Sequence, residues 1–315
     1  MKVNLAFDVS AISTFSEKSN DVLYNGILTG PTLANYQIIH GINGTQLVNF
    51  VDVTAFEQAS ACSLGTSGST VLTNKSLTVA DFTFVNDVCM RDIDGYPFPT
   101  VAGVVYDNIE SRLMDAMVGK LYQRVKQRID LTLWQGTTAA GYLLNGLTYQ
   151  ASACTDRTII ETYNRDTFPY SAVTATNIDN VFQEFVENMT QDMTMDGPLV
   201  INVPFSYYNL YSIWRANNVS PSTMDGIGSV GFDEQWLVGF ENKVKLRVQP
   251  GYTGTDYMLM TADKNIGIGT DIPAELINLS NARFEFDNIN RIIYHFLDFR
   301  LGCLFVDCSK VVTNF

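Results

Sequence analysis

The residues of this chain that could perform acid–base or nucleophilic chemistry are few and poorly grouped. Its two histidines are His40, in a glycine-containing segment near the start, and His295, which has Asp298 three residues further on. The numbers of serine, cysteine, histidine and aspartate residues alone do not exclude a Ser-His-Asp or Cys-His arrangement. The chain has no Gly-x-Ser-x-Gly motif, however, to expose a nucleophile. We therefore expect His295 to be a structural histidine, and we predict no catalytic residue.

The five cysteines are an odd number without the spacing of a metal site, which is typical of a protein from a reducing cytoplasm. Cys62 and Cys89 bracket a β-rich segment and could face each other, either as buried thiols or as a crosslink or metal pair. Cys303 and Cys308 are five residues apart in a predicted strand, so their side chains point to opposite faces and cannot form a compact chelate. The sequence therefore predicts no metal site.

One glycine motif has the form of a dinucleotide-binding fingerprint, G-x-G-x-x-G, at Gly226, Gly228 and Gly231. Such a site requires a strand before the motif and a helix after it. The flanking residues, SPSTMD and FDEQW, fit neither, so we predict a loop and no cofactor. Asp192 and Asp196 likewise lack the spacing of a calcium-binding loop.

Composition limits the partners of the chain. It has 315 residues, 46% of them hydrophobic, which is enough for a sizeable core, and a net charge of −13. A protein that grips phosphate backbones over a wide face needs clustered Lys and Arg, so sequence-specific nucleic-acid binding is not expected. No run of 18 apolar residues is present, and Asp8 interrupts the first apolar run, so neither a membrane span nor a signal peptide is predicted.

The element around which the chain is organised is a predicted amphipathic helix at residues 105–135. Apolar residues recur along it at a step of four: Val105, Ile109, Leu113, Met117, Leu121, Val125, Ile129 and Leu133. Asp107 and Glu110 suit its N-terminus, and Gly136 ends it. At 1.5 Å per residue such a helix is about 45 Å long, enough to cross a domain.

The segment before this helix divides into two parts. Residues 1–45 contain short apolar pieces among glycines and predict an arm with little to pack on. Residues 46–92 predict a protruding two-stranded loop, with a strand at 46–53, alternating residues at 69–90 and a turn at 73–76. Because the loop has too few apolar residues for a core of its own, we expect neighbouring subunits to cover its apolar side chains; the alternative is that the loop packs on its own domain. The candidate subunit-contact residues are Val71, Leu77, Val79, Phe82 and Phe84.

The segment after the long helix has mixed patterns. Helices are predicted at 176–189 and 206–216, strands at 199–203, 243–248 and 257–262, a long loop at 217–239, and extended structure at 284–286, 289–301 and 303–312.

The order of these parts resembles that of major capsid proteins of tailed bacteriophages with the Hong Kong 97-type fold. Three segments carry the resemblance: CSLGTSGSTVLTNKSLTVADFTFVNDVCMRDI at 62–93, LTLWQG at 131–136 and YHFLDFRLGCLFVDCSKVV at 294–312. They look most like the capsid proteins of crAss-like and related phages of Bacteroidota. Some members of the family crosslink a loop lysine to an asparagine with help from a glutamate. Lys75 lies in that region, but its partners cannot be matched, so no crosslink is carried over.

The resemblance implies an α+β, Hong Kong 97-type capsid fold in four parts. These are an N-terminal arm at 1–45, an extended loop at 46–92, a peripheral domain at 93–140 and 286–315 containing the spine helix at about 105–135, and an axial domain at 141–285.

The resemblance also implies a function and partners. The chain would be a structural subunit that self-assembles, as hexamers and pentamers, into the icosahedral shell around the double-stranded DNA of a tailed phage. Assembly in the bacterial cytoplasm would involve portal, separate scaffold and decoration proteins, with no membrane and no cofactor. Two alternatives stay open at this stage: an encapsulin-type nanocompartment shell, and a cytoplasmic enzyme with a site in residues 141–285.

Overall fold

The computed structural model describes residues 36–55, 69–89, 123–169, 172–219, 234–271, 283–287 and 292–315. Its strands are β1 (Gln37–Ile39), β2 (Thr45–Ala55), β3 (Ser69–Thr78), β4 (Ala80–Cys89), β5 (Thr158–Ile159), β6 (Leu199–Val203), β7 (Glu234–Trp236), β8 (Val244–Val248), β9 (Leu259–Ala262), β10 (Ile266–Thr270), β11 (Arg283–Asp287), β12 (Ile292–Phe305) and β13 (Val312–Thr313). Its helices are α1 (123–135), α2 (Leu147–Ala153), α3 (Ile178–Glu187), α4 (Gln191–Met195) and α5 (Phe205–Asn218). Short 3₁₀ turns occupy Thr138–Ala140, Pro250–Tyr252, Asp263–Asn265 and Cys308–Lys310.

The C-terminal part of the predicted long helix is helix α1. Val125, Ile129 and Leu133 are buried, whereas Arg124 and Arg128 are exposed, as the apolar step of four predicts for one side of a helix. The helix ends where predicted, before Gly136, whose N–H donates to the carbonyl of Thr132 at 3.0 Å. The predicted first half of the helix, residues 105–122, lies outside the described residues.

A five-stranded sheet is built around β12. Strand β4 pairs antiparallel with β12 along one edge, from Ile292 opposite Cys89 to Leu301 opposite Ala80. The other edge of β12 is shared, since β11 pairs with its first part and β10 with its last part. Strand β1, at the end of the predicted arm, adds in parallel to β10. Side chains of α1 and of this sheet form one buried core.

A six-stranded sheet has the order β5-β13-β9-β6-β8-β7. Every residue of its inner strand β6 is buried, which is why LVINV reads as a continuous apolar run. Helices α3 and α5 cover this sheet, and their apolar residues share a second core with β6, β8 and β9. The predictions for these two helices and three strands are confirmed to within a few residues at their ends.

The predicted loop contains a separate two-stranded hairpin, in which β2 and β3 pair antiparallel from Thr45 opposite Thr78 to Ala55 opposite Ser69. The predicted turn at 73–76 is wrong, because these residues lie inside β3. Asn74 and Ser76 favour turns locally, but opposite residues of β2 supply their backbone partners, and local composition cannot reveal such pairing. The break between β3 and β4 is the single residue Val79.

The chain end also differs from its prediction. Residues 289–301 and 303–312 were separated at Gly302, whereas β12 passes through this glycine to Phe305. After the 3₁₀ turn at Cys308–Lys310 the chain enters the other sheet as β13, parallel to β5. Two of the predicted domain boundaries therefore do not coincide with the sheets, since β10 joins the sheet of β12 and β13 joins the sheet of β6.

Candidate functional site

The base of the β2–β3 hairpin is packed into the chain itself. Leu77 and Val79 are buried with Ile42 and Leu304 in a small third core. Leu77 lies so close to Gly269 of β10 that a side chain there would have no room. Strands β10 and β12 thus provide the cover that the sequence alone assigned to a neighbouring subunit.

The five predicted subunit-contact residues are therefore distributed differently from the prediction. Leu77, Val79 and Phe82 are 0%, 7% and 2% exposed, so the expectation that neighbours must bury them is wrong for these three. Phe84 is half-buried and stacks on Phe299, with ring centroids 5.9 Å apart. The side chain of Val71 lies outside the described residues.

Two apolar side chains on strands β2 and β4 do face outward. Leu47 of β2 is 70% exposed and Val85 of β4 is 58% exposed. Both alternate with inward-facing neighbours, as a strand requires. The sequence analysis missed them because the period of two marks which residues share a face but does not say which face is covered.

Lys75 crosses from the hairpin to the end of β12. Its Nζ donates to the carbonyl oxygen of Phe305 at 3.1 Å and lies 3.7 Å from Sγ of Cys308. Burial lowers the pKa of the Lys75 amine, while the nearby carboxylates of Asp307 and Asp156 act in the opposite direction. Lys75 therefore links the hairpin to the sheet of its own chain.

The cysteines are arranged differently from the prediction. Cys154, directly after α2, and Cys308 form a disulfide with Cα atoms 5.6 Å apart, a pair that the spacing along the chain gave no reason to select. Cys303 is a buried free thiol, and burial raises its pKa to about 12 although Gln150 donates a hydrogen bond to it. Cys62 and the side chain of Cys89 lie outside the described residues.

Two neighbouring grooves separate β3 from α2. One, of about 350 Å³, is lined by Leu143, Tyr149 and Cys303 among others. The second, of about 490 Å³, is lined by Lys75, Cys154 and Cys308. Gln150 lines both, and its side-chain amide donates to the carbonyl of Cys303 at 2.7 Å, which ties α2 to β12.

The described end of the predicted arm is anchored by Tyr36. Its buried hydroxyl accepts a hydrogen bond from Gln249 Nε2 at 3.0 Å, and its ring lies 5.9 Å from the guanidinium of Arg247. Burial raises the pKa of the Tyr36 hydroxyl, so it remains neutral. Arg247 is itself 5% exposed and binds Asp263 through two hydrogen bonds of 2.6 and 2.8 Å. Burial lowers the pKa of Arg247, but the hydrogen bonds to Asp263, together with the charges of Asp263 and Glu234 and the effect of Tyr36, outweigh this and raise the pKa above its ordinary value.

The residues first considered for chemistry are not brought together. His40 is half-buried between β1 and β2, and the backbone of His295 lies in β12 opposite Asn86 and Phe284. Asp196 accepts an ion-pairing hydrogen bond from Lys310 Nζ at 2.7 Å. Within the described ranges no group of three or more His, Cys, Asp or Glu side chains is placed to hold a metal ion. Gly226, Gly228 and Gly231 lie outside those ranges.

The helices described here include none that is both long and apolar enough to cross a lipid bilayer. The features that the structure offers for function are the β2–β3 hairpin, the exposed Leu47 on β2 and Val85 on β4, and the grooves beside the base of the hairpin.

Comparisons with known proteins agree with this description. The sequence matches no protein-family model and no curated protein. The structure is similar to a chain of the satellite phage P4 procapsid, a particle that includes the size determination (Sid) protein, with 10% identity, a TM-score of 0.55 and coverage of 98% of this chain and 99% of that one. It is also similar to a chain from the capsid of an empty GTA particle, with 10% identity, a TM-score of 0.53 and coverage of 90% and 89%. These similarities show the fold, and they confirm the predicted α+β, Hong Kong 97-type capsid fold class.

Proposed function

We propose that the chain is a major capsid protein, which assembles with many copies of itself into the icosahedral shell around the double-stranded DNA of a tailed phage. The observation that carries this proposal is the similarity over nearly the whole of both chains to a procapsid chain. A match of this extent includes the hairpin and both sheets, so it concerns the complete architecture. Neither the nanocompartment nor the enzyme alternative has a specific observation in its favour, and we propose a structural role.

The hairpin supports self-assembly. Its two strands pair only with each other over ten register positions, and an isolated two-stranded ribbon is at most marginally stable in water. Leu47 on β2 and Val85 on β4 expose apolar surface that an adjacent copy would cover. Many modest contacts of this kind, repeated around a closed shell, add up to a stable container.

The negative charge of the chain supports the proposal that the shell encloses DNA without binding it tightly. A net charge of −13 repels phosphate backbones, so packed DNA would remain free to move along the wall. We therefore propose that DNA is enclosed without sequence-specific binding.

The finer parts of the proposal rest on the sequence resemblance. They are a relationship to crAss-like phages of Bacteroidota, assembly in the host cytoplasm, incorporation into the virion, and partnership with portal, separate scaffold and decoration proteins. The division into arm, extended loop, peripheral and axial domains belongs here too. This division does not follow the sheets at two strands. Strand β10, within the proposed axial domain, pairs in the sheet of β12, and β13, within the proposed peripheral domain, pairs in the sheet of β6.

The test removes the outer part of the hairpin and keeps its base. Phe50 and Thr73 are opposite each other, so residues 51–72 can be replaced by an Asn-Gly turn without altering the pairing below. Because Leu77, Val79 and Lys75 remain, we expect the protomer to fold, as seen by circular dichroism and a cooperative thermal melt. We expect electron microscopy to show no closed particles for this variant and to show closed particles for the unchanged chain.

A matched deletion separates assembly from folding. Replacing residues 64–80 by a Gly-Ser linker removes Leu77 and Val79 from the core and should unfold the protomer. Normal particles from the 51–72 variant would show that the hairpin does not mediate assembly. An unchanged chain that stays monomeric at high concentration across a range of salt would overturn the capsid function itself.

A further inference from the structure

We propose that the Cys154–Cys308 pair is a thiol–disulfide exchange site, in which Cys308, beside Lys75, reacts first with a low-molecular-weight disulfide and Cys154 then closes the bond. The disulfide would thus be a late, reversible addition to a chain that is already folded.

The surroundings hold the two sulfurs together without the bond. The segment after Cys154 pairs with the chain end, Thr158 opposite Val312. On the other side, the Gln150 amide is bonded to the carbonyl of Cys303 at 2.7 Å. The backbone N–H of Cys154 is satisfied by α2, at 3.1 Å from the Gln150 and Ala151 carbonyls. None of these contacts involves Sγ of Cys154 or Cys308, so we expect them to remain, and the chain to fold, when both thiols are reduced.

Access distinguishes the three cysteines whose side chains are described. Cys308 is half-buried and lines the groove of about 490 Å³, which can admit a small molecule. Cys154 lines the same groove but is only 7% exposed. Cys303 is buried, with a thiol pKa raised to about 12, so it is inert near neutral pH. An external reagent therefore meets Cys308 first.

Lys75 favours the reactive form of Cys308. The thiolate is the nucleophile, and an adjacent ammonium stabilises it. Nζ of Lys75 is 3.7 Å from Sγ of Cys308 and is held there by the Phe305 carbonyl. Two carboxylates also face the amine, Asp307 and Asp156. Oδ1 of Asp307 accepts hydrogen bonds from the N–H and hydroxyl of Ser309, which compensate part of its charge.

The exchange balances without any further reactant. The Cys308 thiolate attacks one sulfur of a disulfide RSSR and releases RS⁻, leaving a mixed disulfide on Cys308. Cys154 loses its proton to water and attacks the Cys308 sulfur, which releases the second RS⁻. Two protein thiols are oxidised and one RSSR is reduced.

The timing of the reaction rests on the proposed function. A reducing cytoplasm would keep both thiols reduced during assembly, and a particle released from the cell would meet oxidising conditions. The bond spans 154 residues of sequence, and closing so long a loop restricts the unfolded chain strongly. The released particle would therefore be harder to unfold than the one that was assembled.

The experiment follows the sulfur atoms directly. Protein purified under a reductant is freed of it, treated with oxidised glutathione, quenched with N-ethylmaleimide at intervals and digested with trypsin and Asp-N. Cleavage at Asp307 separates Cys308 from Cys303, which a tryptic peptide would keep together. We expect glutathione on the peptide 307–310 first, followed by its linkage to the peptide 130–155. Circular dichroism should be the same before and after, with Tm higher by about 5 °C or more in the oxidised form.

Charge variants test the role of Lys75. We expect Lys75→Met to slow the first step about threefold or more, Lys75→Arg to retain most of the rate, and Lys243→Met, at an exposed site, to leave it unchanged. Glutathione appearing first on Cys154 or Cys303, or a reduced chain that is unfolded, would overturn the proposal. An unchanged rate in a folded Lys75→Met variant would remove Lys75 from it. These assays use free protomers, so a failure to form particles would count against the capsid function and not against the exchange site.

Discussion

The carboxylate of Glu184 organises the chain after β5. One of its oxygens accepts hydrogen bonds from the backbone N–H groups of Glu161 and Thr162, at 3.0 and 2.6 Å, and the other accepts one from Tyr163 at 2.9 Å. Three donors that no strand or helix satisfies are thus paired with one charged side chain on α3. Hydrogen bonds to a charged acceptor are stronger than neutral ones, so this single residue holds a turn against the second core.

We expect Glu184→Gln to lower the free energy of unfolding by about 1–3 kcal/mol, because the amide has one acceptor oxygen and no charge for three donors. Urea denaturation of the reduced protomer measures this difference. Glu187→Gln, on the exposed side of the same helix, is the matched control and should change stability by less than about 0.5 kcal/mol. Equal losses in both variants would contradict the role of Glu184.

Such residue-scale contacts could not be predicted from the chain. Glu184 is 21–23 residues from its partners, and Cys154 is 154 residues from Cys308. Acidic residues are frequent here, and their types do not indicate which one will face unpaired N–H groups.

At the scale of elements, the close contact between β12 and the junction of β3 and β4 fixes the position of the hairpin. The Cα of Gly302 lies against the carbonyl of Thr78, so any side chain at this position would collide with backbone. Val79 at the junction donates its N–H to the carbonyl of Gly44 at 3.1 Å. Arg300 adds an ion pair with Asp81 on the exposed side of the sheet.

Gly302→Ala should therefore destabilise the protomer by about 2 kcal/mol or more, because neither backbone can move without breaking the sheet. Gly267→Ala is the matched control in the same sheet. A Cβ there would lie 3.4 Å from the side chains of Ile39 and Leu304, which can adjust. Thermal melts of the two variants report the contrast. A Gly302→Ala protomer as stable as the control would show that the junction is not tightly packed.

Helices and strands could be predicted where buried apolar side chains recur at a regular spacing along the chain. The step of four in α1 and the patterns that predict α3, α5 and β6 are all local, and the structure has these elements within a few residues of the predicted ranges. The turn assigned to 73–76 failed because pairing with β2 is a contact between distant residues. The sequence patterns also do not reveal that β12 continues through Gly302, because this glycine serves a close approach of two strands that are distant along the chain.

At the scale of the whole molecule, every copy carries a net charge of −13, so association must overcome repulsion between like subunits. Salt screens such repulsion over about 10 Å at 0.1 M and about 3 Å at 1 M. We expect light scattering to show faster and more complete association of purified protomers at 1 M than at 0.05 M sodium chloride. Association that weakens steadily as salt increases would mean that opposite charges hold the contacts together.

The fold class could be predicted because three segments of the chain and the order of its parts resemble a known family, and the comparisons confirm it. The covered faces of the strands could not be predicted in the same detail. The sequence predicts that Leu77, Val79 and Phe82 are left uncovered by the chain itself, whereas the structure buries these three and exposes Leu47 and Val85. Which face of a strand is covered depends on the elements packed against it. For β4 the neighbouring strand is β12, which is more than 200 residues away along the chain.

The tight junction at Gly302 has a mechanical consequence. Strand β2 has 11 residues, so the paired ribbon extends about 33 Å from its base at roughly 3.3 Å per residue. A tilt of about 10° at the base would displace the far end by about 6 Å, more than the spacing of about 4.8 Å between neighbouring strands. A hairpin of this length can reach a defined position on another molecule only if its base is rigid. Gly302, which allows the backbone of β12 to lie against that of Thr78, therefore fixes the direction in which the far end of the hairpin points.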